Sequence, residues 1–329
     1  MVVAQLAYNH LNATARARCD ALIAVPLANG SSANNIFATA ACWADDYKSQ
    51  LGTGIWHYID LPFSLDGTST SGVTTAAFDV VQAIRQCVVT LQDTNATAVD
   101  QATALRYLLH FVGDIQQPLH CSTAVSAGSL GGDAGGNSYT LNGGTWSNLH
   151  SLWDAGGGFL TNSVSRPLSA SGQTTLNNKV AVIEADYPYA ANLGTIPDPL
   201  DWADEGWSIA QTVCYVGIAR NTAPSVAYLA TAQATTEQRM AVGGHRLADL
   251  LTTLFAATPP NLTALAVANG NISFSWPATA GKTYRVQWTQ QLASPTWNDL
   301  PDMVATGNSL SFTNTIVPPL RFYRVLVVN

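Results

Sequence analysis

Residues 104–120 read ALRYLLHFVGDIQQPLH, and the interpretation of this stretch decides the fold. Leu105, Leu108, Leu109 and Val112 recur at helical spacing, so the segment is expected to form a buried helix. His110 and Asp114 stand four residues apart and project from one stripe of that helix. Pro118 is expected to close it, because a proline ring cannot continue the hydrogen-bond ladder, and His120 follows just past the break. An imidazole and a carboxylate one turn apart, joined by a second imidazole from the helix exit, suit the borderline N/O ligation of zinc. Taken alone, the stretch is more simply read as a buried helix carrying one hydrogen-bonded His–Asp pair, and the rest of the chain overturns that reading.

The chain has 329 residues, of which 47% are hydrophobic, enough for two domains with real cores. Only 11% are charged, and the net charge of −7 argues against a broad basic surface for gripping duplex nucleic acid. Any polyanion must therefore be met locally. No run of about 18 apolar residues suggests a membrane span, and no basic segment leads into an apolar one as in an export signal. Cys19, Cys42, Cys87, Cys121 and Cys214 are odd in number and widely spaced, so at least one is free or pairs outside the chain. Little lysine with much Asn, Thr, Ser and Gly is a composition typical of exported bacterial proteins, and the expected location is secreted or periplasmic.

Helical pattern runs from Met1 to about Phe255: residues 2–11 and 13–24 with Asn12 as N-cap of the second, then Thr74–Leu91, Asp100–Gln116, Thr174–Ala185, Trp207–Ala219 and Thr236–Ala256. Residues 126–147 are rich in Gly, Ser and Asn, and Ser138–Leu141 hints at a small hairpin. The character changes at Ala257-Thr258-Pro259-Pro260. Beyond it NISFSW, KTYRVQW, SLSFTN and RFYRVLVV alternate with period two between Gly, Asn and Pro turns, the pattern of a small all-β sandwich. The expected division is 1–257 and 258–329, and the second part resembles fibronectin type III-like modules. Its aromatics Trp276, Tyr284, Trp288, Trp297, Phe322 and Tyr323 are expected to fill the sandwich core.

Three more segments supply the ligand types of the central helix. NLHSLWD repeats the His-x3-Asp spacing with His150 and Asp154, ACWADDYK offers Asp45, and IWHYID offers His57. Four of the six histidines thus come with three aspartates, which satisfied core histidines do not ordinarily collect.

HFVGDIQQPLH, GGDAGGNSY and NLHSLWD, with WADDYK and WHYID upstream and GGHRLADLL near residue 243, resemble the zinc-dependent single-strand-specific nucleases of the S1/P1 type. The resemblance runs in order from Met1 to Phe255 and implies a helical bundle shared with bacterial zinc phospholipase C. It implies three zinc ions in a cleft. Asp45, His57, His110 and Asp114 would hold the first, His120, His150 and Asp154 the second, and Asp114 would bridge to the third. Asp45 would also orient the attacking water, and Lys48, where the family often has Arg, would neutralise charge on the phosphoryl group or remain a solvated surface lysine. Tyr58 and Asp60, with Asn137 nearby, fall at base-pocket positions. Gly156 replaces an aromatic found in fungal members, and Cys214 lacks the partner with which it would form a disulfide.

The resemblance also places Trp-Gly-x-x-Gly-His immediately before a segment like VVAQLA, its terminal Trp and its His binding the third zinc. Starting at Met1, the chain is read as N-terminally incomplete, with ligands for about two zinc ions and Asp114 alone at the third site. His10 is no substitute, lying about 15 Å further along the helix at 1.5 Å per residue. The expected function is hydrolysis of single-stranded DNA and RNA, with 3′-nucleotidase activity as an extension and no obligate protein partner. A phospholipase C-like phosphodiesterase and a non-catalytic binding protein are the alternatives.

Overall fold

The computed structural model describes residues 1–161, 164–189, 198–256, 260–292, 296–316 and 320–328. It divides into two compact units, Met1–Leu254 and Phe255–Asn329. The first is helical and the second all-β, as the sequence leads one to expect. The boundary expected between 257 and 258 falls outside the described residues.

The helices of the first unit are α1 (Val2–His10), α2 (Ala13–Ile23), α3 (Phe37–Ala40), α4 (Trp43–Leu51), α5 (Val80–Gln92), α6 (Ala98–Asp114), α7 (Leu149–Asp154), α8 (Ala170–Asp186), α9 (Pro199–Ile209) and α10 (Val226–Leu254). The central helix α6 opens on a capping box in which Thr97 Oγ1 accepts from Asp100 N (3.1 Å) and Asp100 Oδ2 accepts from Thr97 N (3.3 Å). Leu105, Leu108, Leu109 and Val112 are fully buried along it, and so is Phe111. Asn12 caps α2 by accepting from Ala15 N at 2.8 Å.

Pro118 does not end α6. The helix stops at Asp114, and Pro118 instead opens a separate 3₁₀ turn, Pro118–Cys121, that carries His120. Gln117 precedes the proline in an extended conformation (φ −77°, ψ 115°), because the proline ring disfavours α geometry in the residue before it. The break therefore falls upstream of the ring and leaves room for a second, differently aimed turn.

Two glycines explain how α1 and α10 meet. A Cβ on Gly244 would stand 2.5 Å from Leu6 Cβ, so only glycine there lets the helices close, and one on Gly243 would stand 3.3 Å from Val3 Cγ1 of α1 and 2.7 Å from Gln116 Cγ just past α6. On either side of these glycines, Arg239 and Arg246 are buried and share Glu205 at 2.8 and 2.6 Å. Strands β1 (Pro62–Ser64) and β2 (Thr123–Val125) form a short parallel pair, Phe63 opposite Ala124. Of the hairpin expected at Ser138–Leu141, only an isolated bridge between Thr140 and Asn148 is formed.

The second unit holds β3 (Thr263–Ala268), β4 (Asn271–Pro277), β5 (Thr283–Thr289), β6 (Asn298–Asp299), β7 (Met303–Val304), β8 (Ser309–Thr315) and β9 (Phe322–Val327). One sheet runs β3-β4-β8; the other is built around β5, which pairs with β6, β7 and β9. Phe274 and Trp276 from the first sheet pack with Tyr284, Val286 and Val325 from the second in one core, which makes the unit a sandwich. Trp288 and Trp297 depart from expectation. They are only partly buried, and the guanidiniums of Arg321 and Arg324 cover them at 3.9 and 4.1 Å; Phe322 is likewise only partly buried and stands outside that core. Among the described residues no helix is long and apolar enough to cross a membrane.

Candidate metal centre

Five separate elements bring the seven expected ligands together in two groups. Asp45 comes from α4, His57 from the 3₁₀ turn Gly54–His57, and His110 and Asp114 from the last turns of α6. His57 Nδ1 and His110 Nε2 lie 2.9 and 3.0 Å from Asp114 Oδ2, and Asp45 Oδ1 stands 3.7 Å from both nitrogens. His120 comes from the turn Pro118–Cys121, and His150 and Asp154 from the two ends of the short helix α7. Asp154 Oδ1 is 3.4 Å from His120 Nε2, and its Oδ2 is 3.4 Å from His150 Nε2. Asp114 faces both groups, with Oδ1 3.9 Å from His120 Nδ1.

Backbone carbonyls fix three of the four rings. His110 Nδ1 donates to Ala41 O (2.6 Å), His120 Nδ1 to His57 O (2.9 Å) and His150 Nδ1 to Gly135 O (2.7 Å). A neutral ring that donates from Nδ1 turns a bare lone pair on Nε2 inward, the arrangement that outer hydrogen bonds impose on metal-binding histidines. The spacing also suits an ion. With ligand bonds of about 2.0–2.1 Å, neighbouring donors of a tetrahedral zinc lie about 3.3 Å apart, inside the 2.9–3.7 Å range found here.

Electrostatics point the same way. Burial alone would raise the Asp114 carboxyl, yet His110, His57 and His120 together hold it far below the ordinary carboxylate range. Burial likewise disfavours a charged His120, but Asp154 and Asp114 outweigh it and lift the ring to about 9. His110 is raised against its burial by Asp114 and Asp45. The carboxylates thus draw positive charge to His110 and His120, whereas His150 is lowered, first by its burial.

The loop GGDAGGN supplies a residue that sequence reasoning passed over. Asp133 is fully buried; its Oδ1 accepts from Ala124 N and Gly136 N, both at 3.0 Å, and its Oδ2 accepts from Tyr215 at 2.8 Å. It thereby holds Gly135, whose φ of +59° and 2.2 Å Cβ approach to Leu119 O leave room only for glycine. The signal was an acid set between two Gly-Gly pairs, a polar group that such a tight loop has to hydrogen-bond internally.

The remaining expected residues lie at the edge of this cluster. Lys48 Nζ is 2.9 Å from Asp45 Oδ1, and that hydrogen bond raises its ammonium pKa. Tyr58 follows His57 directly and is exposed, while Asp60 is half-buried, its carboxyl raised first by burial and then by Asp133. Ile59 N donates to His120 O at 2.8 Å, so this segment is stitched to the second ligand group. Asn137 is exposed and folds back on Ala134 O at 2.9 Å; among the described residues no hydrogen bond joins it to Tyr58. Cys214 and the other four cysteines are free thiols.

A helical unit that gathers two sets of imidazoles and carboxylates offers two neighbouring groups that could each hold a metal ion, an arrangement that metal-dependent hydrolases use. The S1/P1 nuclease family model matches residues 1–256, and the chain belongs to that family. It is 31% identical to nuclease P1 of Penicillium citrinum over 136 residues, 38% of this chain and 46% of that enzyme, so this match spans less than half of the relative. It is 28% identical to Endonuclease 3 of Arabidopsis thaliana over 262 residues, covering 72% of this chain and 83% of the plant protein. Nuclease S1 of Aspergillus oryzae matches at 28% over 253 residues, 70% of this chain and 83% of that enzyme.

Proposed function

We propose that this chain is an exported, zinc-dependent phosphodiesterase that hydrolyses single-stranded DNA and RNA, with 3′-nucleotides as further substrates. The observation that carries the reading is the pair of His/Asp groups in a unit of the S1/P1 family, their inward lone pairs fixed by carbonyl hydrogen bonds. Asp45, His57, His110 and Asp114 would hold one zinc, and His120, His150 and Asp154 another. Bound zinc supplies Lewis acidity at phosphoryl oxygens and makes water nucleophilic at neutral pH.

The chain's own groups do the rest. Asp45 is exposed enough to accept a proton from an entering water, and Lys48 beside it brings a cation to the oxygens on which charge grows. Tyr58 offers a ring on which an unpaired base stacks, and Asp60 and Asn137 offer polar groups for its edge. Bound zinc ions would offset the acidic balance locally and so reconcile the net charge of −7 with a polyanionic substrate. Chelator-treated protein should leave single-stranded DNA uncut and regain cleavage with added zinc; cleavage that persists without metal defeats the proposal.

One observation favours a second reading. A cavity of about 400 Å³ beside His110, Asp114, His120 and Asp154 is walled by Val2, Val3, Leu160, Leu176 and Met240. An apolar wall of that kind suits the diacylglycerol side of a phospholipid, the substrate of a phospholipase C-like enzyme.

A further inference from the structure

We infer that Gln117 is a positioning residue for the second ligand group, locking Asp154 to the turn that carries His120. The inference rests on the zinc reading above. Gln117 sits between the two ligand-bearing pieces of chain and bonds in both directions. Its backbone N donates to Asp114 O at 2.9 Å and its carbonyl accepts from His120 N at 2.9 Å. Its side chain caps the turn, Oε1 accepting from Leu119 N at 2.6 Å, while Nε2 donates to Asp154 Oδ1 at 2.9 Å.

Those last two bonds fix the amide's orientation. A flipped amide would set Nε2 against the Leu119 N–H and Oε1 against a carboxylate, repulsive at both ends. Asp154 needs such a brace. It closes a six-residue helix, its side chain is 48% exposed, and its approaches to the two imidazoles are 3.4 Å, longer than the 2.9 Å amide contact. Left free, it would sample rotamers that point into solvent, and binding an ion would have to restrict them. Held by Gln117, it faces His120 and His150 in advance. The brace is neutral, so it orients Asp154 without reducing the charge the ion sees. Outer hydrogen bonds of this kind are worth about 10–100-fold in metal affinity.

Two substitutions separate positioning from plain support of the turn. Gln117→Met keeps length and loses both side-chain bonds; Gln117→Glu keeps an acceptor for Leu119 N and sets a repelling carboxylate against Asp154. Metal-free wild type and variants are titrated with zinc against a chromophoric chelator, and the metal-free proteins are melted in parallel. In both variants one of two zinc equivalents should weaken about 10–100-fold with the other unchanged, and the metal-free melting temperature should hold in Gln117→Glu, which keeps the cap on Leu119 N. Wild-type affinity for both equivalents in Gln117→Glu overturns the inference, since only the cap then matters. Equal weakening of both equivalents together with a lowered metal-free melting temperature overturns it as well, by assigning Gln117 to the fold. A wild-type protein that takes up no zinc overturns the metal reading itself, and this inference with it.

Discussion

His57 Nδ1 and His110 Nε2 lie 3.0 Å apart, both in contact with Asp114 Oδ2. His110 already spends Nδ1–H on Ala41 O, so its Nε2 meets His57 as a lone pair unless the ring is charged. Two imidazoles held this way need a proton or a cation between them.

Zinc should therefore stabilise the helical unit. At a concentration 100 times its dissociation constant, each bound ion adds about 2.7 kcal/mol, which in a unit of this size raises the melting temperature by roughly 5–10 °C. Melting with zinc and with chelator measures the difference, and coincident curves would sink the assignment of these histidines as ligands.

Asp114→Asn keeps the size of the side chain and removes the charge that faces both ligand groups. Hydrolysis should be abolished while the far-ultraviolet circular dichroism of the helices is retained. A variant with wild-type turnover would mean that the end of α6 is not the floor of the active centre.

Tyr58→Ala removes a ring on which a base stacks, a contact worth about 1–3 kcal/mol. Turnover of single-stranded substrate should fall roughly tenfold or more at sub-saturating concentration, with zinc content unchanged. An indifferent variant would move the base site away from Tyr58.

The ligand set was legible because the His-x3-Asp spacing is itself a statement about one face of a helix, and both copies fold as helices, α6 and α7. The cap at Asn12 was legible for the same local reason. Other features depend on contacts distant in sequence. The first turns of α10, from Val226, are rich in Ala, Thr and Gln with little apolar periodicity, so the pattern surfaces only near Thr236. The apolar run before Val80 is not helical because Asp79 stops it, its carboxylate accepting from Val81 N and Gln82 N. Gln117 and Asp133 act through partners 37 and 82 residues away, Asp154 and Tyr215, which no window of sequence displays.

Glu205 links two buried guanidiniums, and Glu205→Gln should cost about 3 kcal/mol, the low end for breaking a buried pair because Glu205 keeps some contact with water. Burial raises its carboxyl, but Arg246 and Arg239 more than offset that and hold it below the ordinary 4.5. A depressed carboxyl contributes stability above its unfolded-state pKa and loses it as pH falls through the folded value. The gap in melting temperature between wild type and variant should thus be full at pH 6 and shrink towards pH 3. A gap that widens on acidification would contradict the pairing.

The most direct test of the central claim is the initial rate of the zinc-loaded protein on three substrates at equal concentration: a single-stranded oligonucleotide, the same sequence as duplex, and phosphatidylcholine. A base pocket beside the ions needs an unstacked base, and a duplex releases one only at the cost of unpairing. Single strands should be cut at least tenfold faster than duplex, with phosphatidylcholine left intact. Equal rates on the two DNA forms, or faster hydrolysis of phosphatidylcholine than of single-stranded DNA, would contradict it.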